Sequence, residues 1–198
     1  VLYGWIIHPL NMRKILNNSR EITLLSIFTA LCLGIQLAPR PANVEFTSLF
    51  TFLIGFIFGS RTGALFGSFI MFINGFFSPW GFSGLNMPFQ ISGMAFIGIV
   101  GGVYKKYFLS TQTSAEFVAE IAVLGGFLTV IYDLITNLGV ALQFALTGAP
   151  IPWAIFSALA WGMPFSILHV GSNILVFGGA FFPLIKALNK AIMVNNVG

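Results

Sequence analysis

Tyr132-Asp133-Leu134-Ile135-Thr136-Asn137 sets one acid in the middle of a segment, Phe117 to Leu146, that otherwise reads as a single long apolar helix. A carboxylate at bilayer depth costs roughly 2.5–3.5 kcal/mol even on the insertion scale, so such a residue faces the protein interior or a wet cavity and has a partner. Thr129, Asp133 and Asn137 follow at four-residue spacing, with Thr136 beside them, which draws a polar stripe down one helix face. The stripe predicts a polar interior around which the other helices gather.

Composition agrees with a membrane setting. Hydrophobic residues make up 57% of the 198-residue chain and charged residues 7%, far below the roughly 25% charged content of a soluble domain. That length holds five to seven helices of about 20 residues, with no stretch polar enough for a separate soluble domain. Cys32 stands alone in an apolar segment, which excludes a disulfide framework or a cysteine zinc site and fits a packing role. The net charge of +4 comes from basic residues set singly or in pairs between apolar runs, so they read as topology marks and not as a nucleic-acid surface.

The expected fold is an all-α membrane bundle of six transmembrane helices with both termini cytoplasmic. Residues 1–20 form a short cytoplasmic segment, 21–190 the membrane domain and 191–198 a tail. The spans are expected at Glu21 to Leu37, Phe46 to Phe58, Thr62 to Phe77, Leu85 to Val103, Phe117 to Leu146 and Trp153 to Leu188. In this orientation Arg13, Lys14, Arg20, Arg61, Lys105, Lys106, Lys186 and Lys190 all fall inside and Arg40 alone falls outside, as the positive-inside rule requires. The external segments Ala38 to Glu45, Ser78 to Gly84 and Thr147 to Pro152 are rich in Pro, Gly or Asn, as turns should be. Glu116, at the start of the fifth span, reads as a solvated helix start.

Small residues make a second pattern. Ser26, Ala30, Gly34 and Ala38 recur every four positions in the first span, as do Gly55, Gly59, Gly63 and Gly67 across the second turn. Such ridges let helices approach closely in lipid. The first serves either packing within the chain or docking of another membrane subunit. No internal repeat supports an inverted-repeat transporter.

Counted from the cytoplasmic ends of their spans, Asp133 and His169 lie at nearly one level, and Asn173 is one turn deeper than His169 on the same face. Asp133 therefore has a His or Asn partner within reach, to join two helices or to hold a ligand. Pro164 is expected to interrupt the sixth span and free a carbonyl. A second polar group sits nearer the outer surface: Arg40, Asn43 and Glu45, then Asn74, Trp80, Asn86 and Gln90, with Trp153 and Trp161 opening the sixth span. Indoles at that level serve as interface anchors or as pocket walls. Asn86 and Gln90 share a helix face and suggest a pocket open to the outside, suited to a neutral or zwitterionic small molecule.

In their order, these features resemble the substrate-binding S component of energy-coupling factor vitamin transporters. The resemblance spans Glu21 to Lys190. It rests on the six spans, the small-residue ridge of the first, Pro41-Ala42-Asn43-Val44-Glu45, and Phe58-Gly59-Ser60-Arg61-Thr62-Gly63-Ala64. Tyr132-Asp133 with Asn137, and Gly162-Met163-Pro164-Phe165 followed by His169 and Asn173, complete it. It implies a vitamin-like solute held in the outer half by Asn43, Glu45, Asn74, Trp80, Asn86, Gln90, Asp133, Asn137, Trp161, His169 and Asn173. It further implies a transmembrane coupling subunit docked on Ser26, Ala30 and Gly34, two separate ATPases, and a plasma-membrane location. The loop and the amide-rich, Trp-rich wall are compatible with cobalamin or a related corrinoid. No phosphate-binding Gly-Lys-Ser/Thr occurs, so ATP hydrolysis by this chain is not expected. No catalytic residue, metal or cofactor is expected either.

Two rivals stand beside this reading. Gly81-Phe82-Ser83-Gly84 matches the Gly-x-Ser-Gly of rhomboid intramembrane proteases, with His169 as the candidate base. A Ser-His pair must lie within about 3 Å, whereas Ser83 belongs at the membrane surface and His169 well inside the sixth span. The other rival is a structural membrane protein in which Asp133 only joins helices.

Overall fold

The computed structural model describes residues 18–41, 43–107 and 114–194. Most of the expected N-terminal segment, residues 1–17, and residues 195–198 of the tail lie outside them. Among the described residues the regular structure is entirely helical. Six α-helices follow in order: α1 Asn18–Leu37, α2 Thr47–Phe58, α3 Ser60–Phe77, α4 Met87–Tyr107, α5 Ala115–Leu146 and α6 Ile151–Val194. A 3-10 turn, Gly84–Asn86, leads into α4. Among the described residues three segments are long and apolar enough to cross a membrane: Gly84–Lys106, Ala115–Leu146 and Ile151–Leu188. Glu21–Leu37 and Thr47–Phe58 are shorter apolar helices.

The bundle is apolar outside as well as inside. Along α5, Val123, Phe127, Val130, Leu134, Leu138 and Leu142 are exposed at three- and four-residue spacing, while Thr129 and Asp133 are buried. A soluble helix has the reverse polarity. Every residue of α2 is buried. At 1.5 Å per residue it is about 18 Å long, well short of an approximately 30 Å hydrocarbon core, and it is apolar on all sides because protein surrounds it. Phe52 sits at the middle of an aromatic cluster, with ring centroids 5.6 Å from Tyr104, 5.6 Å from Phe177 and 5.8 Å from Phe181.

Glycine makes the tight packing of α2, α3 and α4. A Cβ at Gly55 would overlap the Gly98 carbonyl, one at Gly63 the backbone of Gly55 and Gly98, and one at Gly102 the backbone of Ser60. The ridge of Gly55, Gly63 and Gly67 is thus used inside the chain, and it meets a second glycine set on α4. Gly59, between α2 and α3, has φ of 100°, a conformation that disfavours side chains. The ridge of α1 behaves differently. Ser26, Ala30 and Gly34 are exposed, and a Cβ at Gly34 would meet nothing within 4 Å. Among the described residues nothing packs closely on this ridge.

The first five helices begin and end within four residues of the expected spans, and the sixth departs from expectation. Helix α6 runs unbroken for 44 residues through both Pro164 and Pro183, which corrects the expected interruption at Pro164. Each proline removes one donor from the helix ladder, yet the long contact between α5 and α6 carries the helix on.

Gly98→Ala is expected to lower stability by about 1–3 kcal/mol through overpacking against backbone, whereas Gly34→Ala leaves it unchanged. Unfolding midpoints in detergent micelles measure both. Equal midpoints for the two variants would contradict the glycine seam.

Candidate functional site

Alternation of the helices brings the C-terminal ends of α1, α3 and α5 and the N-terminal ends of α4 and α6 to one end of the bundle. Residues 38–41, 43–46 and 78–86 close over that end. Beneath them lies a chamber of about 480 Å³. Gln36 and Arg40 reach it from the end of α1 and the loop beyond, Asn43 and Glu45 from the same loop, and Met71 and Asn74 from α3. Asn86 and the α4 residues Gln90 and Met94 form another side, facing Tyr132, Asp133, Thr136 and Asn137 of α5. Trp161, Phe165, Ser166 and His169 come from α6 and Trp80, Phe82 and Ser83 from the second loop.

Ten of the eleven residues expected to bind a solute therefore share one cavity wall: Asn43, Glu45, Asn74, Trp80, Asn86, Gln90, Asp133, Asn137, Trp161 and His169. Asn173 does not. It is fully buried behind the wall, and its side-chain amide donates to Glu45 Oε1 at 3.2 Å. The wall also includes Gln36, Tyr132, Thr136, Phe165 and Ser166, which sequence reasoning did not assign to it. Gln36 had a usable signal, an amide in an apolar helix. Trp153 is absent from the wall; its ring packs on Phe156 with centroids 5.8 Å apart.

At the floor stands a three-residue cluster. His169 Nδ1 lies 2.7 Å from Asp133 Oδ1, and His169 Nε2 lies 3.3 Å from Glu45 Oε1. All three side chains are buried. A neutral imidazole carries one N–H, so two such contacts need a second proton, on the ring or on a carboxyl group. In either case the cluster keeps a net charge of −1. Burial pushes the Glu45 carboxyl up, but its hydrogen bonds from His169 and from Ser48 outweigh this and hold it down at about 2. The Ser48 backbone N–H donates to Glu45 Oε2 at 2.9 Å. The Tyr132 ring stands edge-on to His169 with centroids 5.8 Å apart.

The loop after α1 is fastened to α6 at further points. The Asn43 side-chain amide donates to the Phe165 carbonyl at 3.2 Å, and the Ser172 hydroxyl donates to the Asn43 carbonyl at 3.1 Å. Asn43 itself has φ of 60°, the left-handed conformation that asparagine tolerates better than most residues. On the other side, Thr47 Oγ1 donates to Gln36 Oε1 at 2.7 Å and Gln36 Nε2 donates to Asn74 Oδ1 at 3.1 Å. This chain of bonds ties α1, α2 and α3 together beside the cavity.

Glycines set the polar side chains in place. Gly93 leaves room for the Tyr132 ring, Gly139 for the Asn86 amide and Gly162 for the Asn137 amide. Thr129 is not part of the wall, since its hydroxyl donates to its own helix at the Gly125 carbonyl, 2.8 Å away. The glycines of Gly81-Phe82-Ser83-Gly84 have φ of 98° and 53° and shape the loop. Ser83 faces the same cavity as His169, but both ring nitrogens of that histidine are engaged by carboxylates.

No family model, curated protein or solved structure matches the chain. What the site can do rests on its own chemistry. It offers amides, hydroxyls, one guanidinium and several aromatic faces around a space of about 480 Å³, and among the described residues no group of three or more His, Cys, Asp or Glu side chains is arranged to hold a metal ion.

His169→Ala removes the imidazole that two buried carboxylates share, leaving Glu45 only its bonds from Ser48 and Asn173, an expected loss of roughly 3–5 kcal/mol, while Asn173→Ala removes one hydrogen bond and costs about 1 kcal/mol. Chemical unfolding in micelles ranks the two, and equal losses would contradict the cluster's role. Because folding lowers the value for Glu45, its contribution is fully present above 4.5, the ordinary value, and fades as the pH falls toward about 2. Glu45→Gln is expected to flatten that part of the stability profile.

Proposed function

We propose that this chain is a six-span membrane protein, both ends cytoplasmic, that captures a small solute from outside as the substrate-binding subunit of an energy-coupling factor importer. The observation that carries the proposal is the convergence of ten separately expected polar and aromatic residues on one chamber at one end of the bundle. The loops at that end hold Arg40 alone among basic residues, whereas Arg61, Lys105, Lys106 and Lys186 lie toward the other end. By the positive-inside rule the chamber's mouth then faces outside, and a plasma-membrane location is part of this reading.

The volume of about 480 Å³ lies within the range of small-molecule pockets. A single- or double-ring micronutrient would be enclosed, with Trp161, Tyr132 and Phe165 against its faces. A corrinoid would extend out through the mouth beside Trp80. Ala30 and Gly34 of the exposed ridge line an apolar hollow of about 430 Å³ with Leu31 and Ile35, and Ser26 is exposed one turn before them. That surface suits the close approach of a coupling membrane subunit. Energy comes from separate ATPases in this reading, consistent with the absence of a phosphate-binding loop in the sequence.

The serine-hydrolase alternative requires a histidine nitrogen free to take the Ser83 proton. His169 is committed on both sides, and the geometry favours a binding role.

The chain purified from membranes in mild detergent is expected to retain one small molecule, detected by mass spectrometry of a solvent extract. Exchanging both Asn137 and Trp161 for alanine should abolish its retention while the helical content stays the same. An extract free of any small molecule, from protein that also binds none of a vitamin panel, would contradict the proposal.

A further inference from the structure

Arg40 is the one basic residue that the charge pattern leaves on the outer side. Its position opposes the prevailing asymmetry, and a long cationic side chain there needs a partner. The structure gives it half of one. A terminal guanidinium nitrogen donates to the Val44 carbonyl at 2.8 Å, but Nε is buried without an acceptor. Among the described residues no carboxylate lies within ion-pair distance of Arg40. Both acids on the chamber wall, Glu45 and Asp133, are turned to His169 instead.

Arg40 nevertheless forms part of that wall. A guanidinium is charged at all working pH values and presents a planar fork of donors that matches a carboxylate or phosphate. A buried donor left without an acceptor is costly. The cluster of Glu45, His169 and Asp133 keeps a net charge of −1 and leaves Asp133 Oδ2 without a hydrogen-bond partner, but neither acid lies within ion-pair distance of Arg40. The missing acceptor is to come from whatever occupies the chamber.

We propose that Arg40 binds ligand directly, and that the solute held in the chamber carries an oxyanion, a carboxylate or a phosphate, which pairs with its guanidinium. The inference rests on the solute-binding role proposed above and narrows it. The remainder of the solute is uncharged or cationic and meets the amides of Asn86, Gln90 and Asn137 and the ring of Trp161.

The test uses the full chain in detergent, with the compound extracted from wild-type protein as probe and tryptophan fluorescence as the binding signal. Arg40→Gln keeps a donor for the Val44 carbonyl but removes the charge, and Arg40→Lys keeps the charge but loses the fork. The extracted compound is expected to carry a carboxylate or phosphate, which its mass and fragmentation distinguish. Affinity should fall on the order of tenfold or more in Arg40→Gln and less in Arg40→Lys, with ligand-free unfolding midpoints unchanged. On wild-type protein, the same compound with its acid esterified, or its phosphate removed, should bind weaker by a similar factor, which decides the matter even if a variant fails to fold. A retained compound with no oxyanion overturns the inference and leaves the solute-binding role standing. So does unchanged affinity in Arg40→Gln, or the loss from that variant of copurified phospholipid alone. Wild-type protein that retains and binds nothing overturns both.

Discussion

A carboxylate enclosed by apolar helices has to share a proton or face a cation, and here two carboxylates do so through a single imidazole. Asp133 from α5 and Glu45 from the loop before α2 approach opposite nitrogens of His169 on α6. The three residues are far apart in sequence, so the contact fixes the relation of three elements at once. Removing His169 leaves two buried carboxylates without their shared partner, and removing either acid leaves one ring nitrogen without its contact, which is why the cluster constrains the structure more than an apolar contact of the same size. Asn173 and the Ser48 backbone N–H complete the coordination of Glu45. The loop that carries Glu45 is thereby drawn over the chamber.

The opposite half of the bundle is held by shape. Glycines on α2, α3 and α4 bring three backbones together, and the rings of Phe52, Phe56, Tyr104, Phe177 and Phe181 fill the space beside them. In lipid there is little hydrophobic gain in pairing apolar helices, so close packing carries the association. A dense, glycine-packed half and a half with an internal chamber occupy opposite ends of the same helices. The division matches what a solute-binding membrane protein needs, a rigid base beneath a cavity reachable from one side.

Much of this was legible in the chain. The helices follow from apolar runs bounded by Gly, Pro and Asn, and the pairing of Asp133 with His169 follows from counting depth along antiparallel spans. The ridge of Gly55, Gly63 and Gly67 was legible as a packing surface, but its partners Gly98 and Gly102 were not, because the pairing is tertiary. Glu45 was readable as an acid of the first external loop and a candidate for the site, but not as a partner of His169. Its burial depends on how the loop folds back, and no local pattern encodes that. Asn173 shares a helix face with His169, and that periodicity alone could not tell a cavity wall from the layer behind it. Pro164 breaks a local rule, and the extensive packing of α6 on α5 overrides it. Arg40 stood out as the exception to the charge rule, but only the fold shows it on the chamber wall without an ionic partner.

The central proposal is that the chamber beneath residues 38–41, 43–46 and 78–86 is a solute site and not a packing defect. An experimental structure of the full chain in lipid nanodiscs, determined as purified with no solute added, addresses that claim most directly. The account predicts ordered density for one small molecule bounded by Trp161, Gln90 and Asn137, with the Glu45, His169 and Asp133 cluster intact below it. A chamber closed by side chains, or occupied only by lipid or detergent chains, would contradict it.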